Sequence, residues 1–200
     1  MSSLNEKEKL TTVFFLICGA IAAIVAFLND ATSLPLNVQQ MLEKFGITSV
    51  VNGYPPCFTE AFASSQLEDQ VFEGDGSFTY EPKCILDDSK RTAWNEGVDG
   101  PGLGQWIRVS ASSLQHVSGM SIRNGYPLRK SVYYNNNRPK DLTIILSDGH
   151  EINWTLDDLY DEWQDITFDT PHDIYWIKIV IQSVYEGKID DTCISSIKAF

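Results

Sequence analysis

Between Thr92 and Ile197 the chain reads T-A-W (Thr92–Trp94), G-P-G-L-G-Q-W-I (Gly100–Ile107), I-R-N-G-Y (Ile122–Tyr126), N-x-R-P-K-D-L (Asn136–Leu142) and D-D-T-C-I-S-S-I (Asp190–Ile197). Each of these lies beside an apolar run of β type. The runs are Trp106–Val109, Val117–Ile122, Leu142–Leu146, Ile152–Leu156, Ile166–Phe168, Tyr175–Ile181 and Ile194–Ile197, short and rich in β-branched and aromatic residues. Between them stand S-D-G, N-G-Y, N-N-N-R-P and D-T-P-H, the residues of turns. Trp176, Lys178 and Val180 alternate with Ile177, Ile179 and Ile181, which makes one apolar face and one mixed face. Short strands at this spacing predict an all-β sandwich or jelly roll. The stretch 57–200 is long enough to bury a core of its own.

Upstream the pattern changes. Leu10–Leu28 carries no charge. Nineteen residues at the helical rise cover roughly 28 Å, close to the ~30 Å hydrocarbon core of a bilayer. A cleaved signal peptide is the competing reading. Against it, Lys7 and Lys9 are offset by Glu6 and Glu8, the apolar run exceeds the usual h-region, and no small-x-small site follows Leu28. The expectation is one uncleaved transmembrane anchor. Lys7 and Lys9 precede it and the next basic residue is Lys44, so residues 1–9 are expected in the cytoplasm and the remainder outside the membrane. Residues 29–56 are expected to form a linker or stalk. Within it Val38, Met41, Leu42 and Phe45 fall at helical spacing before Gly46, which predicts a short helix.

The net charge is −12, and residues 31–200 hold 13 Lys+Arg against 24 Asp+Glu. That balance argues against nucleic acid, whose phosphates need basic side chains, and against tight adhesion to anionic lipid. Of the four cysteines, Cys18 lies in the apolar run. Cys57, Cys84 and Cys193 fall in an expected oxidising compartment, where disulfides form. No C-x-x-C or other zinc spacing occurs.

In order and spacing the signatures from Ala63 to Phe200 resemble the NADase-type glycan-binding (translocation) domain of the discoidin, or galactose-binding-like, family. The resemblance starts at A-S-S-Q-L (Ala63–Leu67) and Tyr80. I-L-D-D-S-K-R-T-A-W (Ile85–Trp94) is similar to the D-G-D-x-x-T-x-W loop of that family, with Asp88 at the Gly position and Ser89 at the second Asp. The resemblance implies a discoidin-like jelly-roll sandwich. It also implies a calcium site in this loop, for which Asp87, Thr92 and Asp191 are the candidate ligands. The family's C-terminal I-S-E-I is I-S-S-I here, so Ser196 stands where a carboxylate is usual. A hydrogen-bonded loop that needs no metal is therefore the alternative, and no cofactor is required. Because the chain ends of such a sandwich lie close, the resemblance implies a Cys84–Cys193 disulfide, with Cys57–Cys84 as the second pairing. Trp94 is expected in the core. The glycines of G-P-G-L-G-Q-W-I are expected to shape a turn into a strand, since a phosphate loop requires Lys-Ser/Thr and a helix.

Sugars offer hydroxyl arrays and a weakly apolar ring face, so a site for them needs planar multi-donor side chains beside aromatics. Arg123, Asn124 and Tyr126 form one such set, and Tyr133, Tyr134, Asn136 and Arg138 a second. Both sets are expected to converge at one end of the sandwich, with Tyr185 able to join. The structural alternative is that Asn124-Gly125 is only a turn and that Arg138 pairs with Asp191 or Asp141. An open concavity lined by Arg123, Tyr126, Tyr133 and Arg138 would favour glycan binding. Burial of these residues in salt bridges beside an exposed apolar patch would favour a protein-interaction or structural accessory role in the cell envelope.

His116, His150 and His172 stand apart in sequence, without a nucleophile–base or zinc signature. Asp157-Asp158 and Asp161-Glu162 read as a solvated turn rather than a glycosidase pair. Asn153-Trp154-Thr155, a glycosylation sequon, falls in an expected strand. In toxins of the family the module precedes a separate NAD-hydrolysing domain, and these 200 residues leave no room for one. The expectation is a membrane-anchored, non-enzymatic glycan-binding module.

Overall fold

Two strands of 19 residues, β5 (Trp106–Asn124) and β9 (Trp163–Ile181), run antiparallel through the centre of the molecule. The structure is a computed structural model that describes residues 56–72 and 76–200. Irregularities between Ser110 and Gln115 and between Val117 and Gly119 break the β5–β9 ladder. Such bulges bend the strands and let one ribbon serve two layers.

In the first layer, β1 (Glu60–Ala63), the first half of β5, the second half of β9, β7 (Asp141–Leu146) and β8 (Glu151–Thr155) lie side by side. The second layer holds β4 (Trp94–Asn95), β11 (Cys193–Ala199), the second half of β5 and the first half of β9. Side chains alternate across a strand, so Ile107, Val109, Ile144, Leu146, Ile177 and Ile179 from the first layer meet Met120, Ile122, Ile166, Phe168, Ile194 and Ile197 from the second in one buried cluster. Each such side chain contributes about 1.5–3 kcal/mol through burial. The fold is thus an all-β sandwich.

Smaller elements close its ends. β2 (Gln70–Phe72) pairs with β3 (Gly76–Phe78), a 3-10 turn spans Pro82–Leu86, helix α1 covers Lys130–Asn135, and β6 (Arg138–Pro139) pairs with β10 (Val184–Tyr185).

All seven predicted β runs fall on strands, with Leu156 one residue past the end of β8. Two predicted turns are corrected. D-T-P-H lies inside β9, where residues 168–171 stand against Ser118 alone. Pro171 is tolerated there because a bulge asks for no ladder N–H. N-N-N-R-P is shared between the end of α1 and β6, since Arg138-Pro139 pairs with Val184-Tyr185. The tail 1–9, the anchor Leu10–Leu28 and the stalk helix Leu36–Phe45 lie outside the described residues. Among the described residues no helix is long and apolar enough to cross a membrane.

The predicted disulfide is also corrected. Cys84 and Cys193 are both buried and both free thiols, as is the exposed Cys57. Each buried thiol turns to a backbone carbonyl near it, Cys84 Sγ to Thr79 O and Cys193 Sγ to Asp191 O. Burial pushes both thiols above the usual range.

Candidate functional site

The two predicted sugar-binding sets do meet, but inside the protein. β5 ends at Asn124, and Gly125 turns the chain with φ +65°. A side chain at Gly125 would strike the Tyr133 ring and the Arg138 stem, within 2.6–2.8 Å, so glycine is required there for both conformation and space. Asn124 donates to Pro139 O at 2.7 Å and accepts the Gly125 N–H at 3.0 Å. Asn136 Nδ2 donates to Val132 O, which caps α1.

Arg138 is 4 % exposed and is held by Asp158 through Nε–Oδ1 (3.1 Å) and Nη2–Oδ2 (2.6 Å), while its Nη1 donates to Asn136 O and Glu186 O. Its partner is therefore neither Asp191 nor Asp141. Tyr133 is fully buried and donates to Leu159 O, and Tyr126 is buried and donates to Arg91 O at 2.7 Å. Burial pushes both hydroxyls well above the usual phenol range. Arg123 is 5 % exposed, pairs with Asp88 and lies 4.5 Å from the Trp163 ring centre. Tyr134 alone of the seven presents its ring outward, 41 % exposed and 5.5 Å from the Arg138 guanidinium. Tyr185 donates to Leu156 O. Six of these seven residues turn their polar groups inward, where they hold the loops together, with the buried Arg123 Nε left without a hydrogen-bond partner.

The 87–92 loop is satisfied by its own side chains. Thr92 Oγ1 lies 2.8 Å from both Asp87 carboxylate oxygens, and the Ser89 N–H donates to Asp87 Oδ1. The Ser195 hydroxyl points at Ser89 O and Thr92 O, 3.2 and 3.3 Å away. Asp88, at the family's glycine position, keeps a glycine-like φ of +53° and carries Arg123 and Lys198 on its carboxylate. No hydrogen bond links the half-buried Asp191 carboxylate to Asp87 or Thr92. Among the described residues no cluster of three His, Cys, Asp or Glu side chains suits a metal. A calcium ion needs carboxylate and carbonyl oxygens free of donors. Here Asp87 is the one carboxylate within the set, the Ser195 hydroxyl competes for the two carbonyls, and two cations sit on the neighbouring Asp88, a donor set poorer than calcium's usual one.

Trp94 is fully buried and donates from Nε1 to Ser65 O at 2.9 Å, and Gln105 accepts from the Ser64 and Ser65 hydroxyls. Gly104 donates its N–H to Ile181 O, so the glycine-rich segment is a turn into β5. The histidines are less isolated than their sequence positions suggest. His116 meets Asp173, while His172 meets Asp148 and stacks against His150 at 4.6 Å. Of the acidic turn, Asp158 holds Arg138 and Asp161 holds Lys90, a structural use of these two acids.

The outward face of the first layer was not singled out from sequence beyond its mixed alternation. There Phe62, Arg108, Lys178 and Ile145 stand in one row across four strands, set by the pairs Phe62–Arg108, Arg108–Lys178 and Lys178–Ile145. Trp106 and Trp176 flank the row on β5 and β9. The Arg108 guanidinium lies 5.0 Å from the Phe62 ring centre and 5.8 Å from that of Trp176, and Lys178 Nζ lies 5.8 Å from that of Trp106. Phe62 is 43 % exposed, and Trp106, Arg108, Ile145, Trp176 and Lys178 are half-buried. Three aromatic rings and two cations thus share one solvent-facing surface, the combination that recognises planar or ring-shaped ligands with polar rims.

No curated protein matches the chain. Among solved structures, it is similar to the family 32 carbohydrate-binding module of AlyQ in complex with 4,5-unsaturated mannuronic acid (14 % identity, 74 % of this chain and 98 % of that one, TM-score 0.53). It is also similar to the family 32 module of Clostridium perfringens NanJ in complex with galactose (22 %, 70 % and 91 %, 0.51). A third is a family 32 module from Clostridium perfringens in complex with GalNAc-β-1,3-galactose (15 %, 70 % and 94 %, 0.53). These likenesses show the fold. Residues 56–199 match the NAD glycohydrolase translocation F5/8 type C domain, a discoidin-like family, and the chain belongs to that family.

Proposed function

We propose that this protein is a non-enzymatic glycan-binding module, displayed outside the cytoplasmic membrane by the Leu10–Leu28 segment. The observation that carries the reading is the aromatic and cationic face of the first layer. Phe62, Trp106 and Trp176 offer ring surface for the apolar side of a sugar, and Arg108 and Lys178 offer donors for its oxygens. The carbohydrate-binding modules of similar fold support it. The site differs from the Arg–Asn–Tyr loop set expected from sequence, six of whose seven residues are buried in the loops. A rigid sheet holds the candidate side chains in place, which lowers the ordering cost of binding. The test is a glycan array probed with the full chain and with a Trp106→Ala/Trp176→Ala variant. Binding by the native chain that the variant loses supports the proposal, and the absence of binding to any glycan at millimolar equivalents overturns it.

A second reading, a domain that docks to a protein in the cell envelope, draws on one observation. Arg123 and Arg138 are buried in ion pairs while Phe62 and its neighbours form a partly apolar surface. Loss of a co-purifying envelope protein in the same double variant, with an empty glycan array, would favour it.

A further inference from the structure

We infer that the glycan taken by the outward face of the first layer is acidic, a saccharide bearing carboxylates on its rings. The inference rests on the proposed glycan-binding role of that face and adds the ligand's charge.

Arg108 and Lys178 stand directly opposite each other on neighbouring antiparallel strands. Like charges in that position repel and destabilise the pair. Neither has a carboxylate within ion-pair distance among the described residues, although the chain carries 27 Asp+Glu against 15 Lys+Arg. Lys83, Lys90, Arg123, Arg138 and Lys198 have carboxylate partners, and what sets Arg108 and Lys178 apart from the other cations without one is that they face each other across the ladder. The nearest acids in the same sheet face other residues. Glu60 is opposite Ser110, and Glu151 is opposite Ile145, two strands from Lys178. Neither acid forms an ion pair with Arg108 or Lys178.

Arg108 Nε is moreover buried without a hydrogen-bond partner. That atom is closed to solvent, so a ligand would meet the two terminal nitrogens of the guanidinium, set between the Phe62 and Trp176 rings, whose planar fork matches a carboxylate in two-point contact. Two unpaired cations 4.8 Å or so apart in strand spacing, framed by three aromatic rings, complement a uronate: the rings take the sugar's apolar face and the cations its carboxylate. A neutral sugar would leave the repulsion between Arg108 and Lys178 uncompensated.

The test compares the full chain's affinity for galacturonate and mannuronate oligosaccharides with that for their methyl esters, which keep the ring and lose the charge. The expected result is at least about tenfold tighter binding of one acid over its ester, the worth of one charge-assisted hydrogen bond. Arg108→Gln and Lys178→Gln should each bring that ratio close to one, whereas Lys83→Gln on the 3-10 turn should leave it unchanged. Melting temperatures of the two face variants should hold or rise, since each relieves a like-charge contact, so lost preference is not lost folding. Equal binding of acid and ester overturns the inference and leaves the glycan reading standing. Binding of neither, nor of any neutral oligosaccharide, removes both. Retention on phosphatidylglycerol vesicles without sugar binding would replace the glycan by a membrane surface and equally overturn the inference.

Discussion

Arg138 and Asp158, 20 positions apart, are joined by two parallel hydrogen bonds, Nε to Oδ1 and Nη2 to Oδ2, with the guanidinium almost fully buried. The same guanidinium ties the α1 end to the 184–190 loop through Asn136 O and Glu186 O. Removing Arg138 leaves the 28 %-exposed Asp158 without its partner and two loop carbonyls without a donor, at about 2–3 kcal/mol. Arg138→Ala is therefore expected to lower unfolding free energy by that amount in urea titrations, while the folded fraction keeps its glycan affinity. A variant of native stability that has lost binding would instead return Arg138 to the binding site.

The aromatic face makes the opposite prediction. Trp176→Ala and Phe62→Ala remove outward rings, not core. Calorimetric titration should show glycan affinity falling by about 1–2 kcal/mol, tenfold or so, for the Trp176 variant. Thermal unfolding should shift by only a few degrees, because the Ile107–Ile179 side of the same strands is untouched.

For the 87–92 loop, chelation is expected to leave the melting temperature unchanged, because hydroxyls and cations already occupy its oxygens. Ser195→Ala should lower stability by about 1 kcal/mol, leaving Ser89 O and Thr92 O without that donor. A drop in melting temperature on adding EDTA, restored by calcium, would refute the metal-free loop.

Burial, and then the adjacent Asp190, hold the Asp191 carboxyl above the usual range. A raised folded-state value for an acid means that the group favours folding at pH below its unfolded value and loses that contribution as pH rises through the folded one. At neutral pH Asp191→Asn should therefore raise the melting temperature by about 1–3 °C, after allowance for its partial exposure to solvent. Near pH 3 the difference should vanish. Scanning calorimetry at the two pH values reads both.

The thiols give a chemical check. Cys57 should react with a thiol reagent in the native protein, and Cys84 and Cys193 only after unfolding, since both are buried and burial raises their pKa. Mass mapping of alkylated peptides distinguishes this from a Cys84–Cys193 disulfide, which would resist alkylation even when unfolded.

How much of this was legible differs by element. The strands were, because alternation such as Trp176-Ile177-Lys178-Ile179 is a local property of a half-buried strand. The bulge at Pro171 was not, because D-T-P-H has the composition of a turn and only its pairing partners place it inside β9. Arg123, Tyr126 and Arg138 were legible as polar groups near aromatics. Their use was not, since it depended on Asp88 and Arg91 35 positions away and Asp158 20 positions away. A carboxylate that arrives through the fold turns a free donor into a structural one. The outward face was hidden for the converse reason: Trp106 and Trp176 reach the two sides of the Arg108–Lys178 pair only through strand register, and no short motif records it.

By itself the sequence determined the sandwich, its strands, the buried Trp94 and the acidic balance of the chain, because periodicity, turn residues and charge act over a few neighbouring positions. Tertiary structure alone decided which donors remain for a ligand. Charges drawn into the fold carry a cost unless they are paired there, and Arg123 and Arg138 pair with acids distant in sequence while Arg108 and Lys178 meet each other without one.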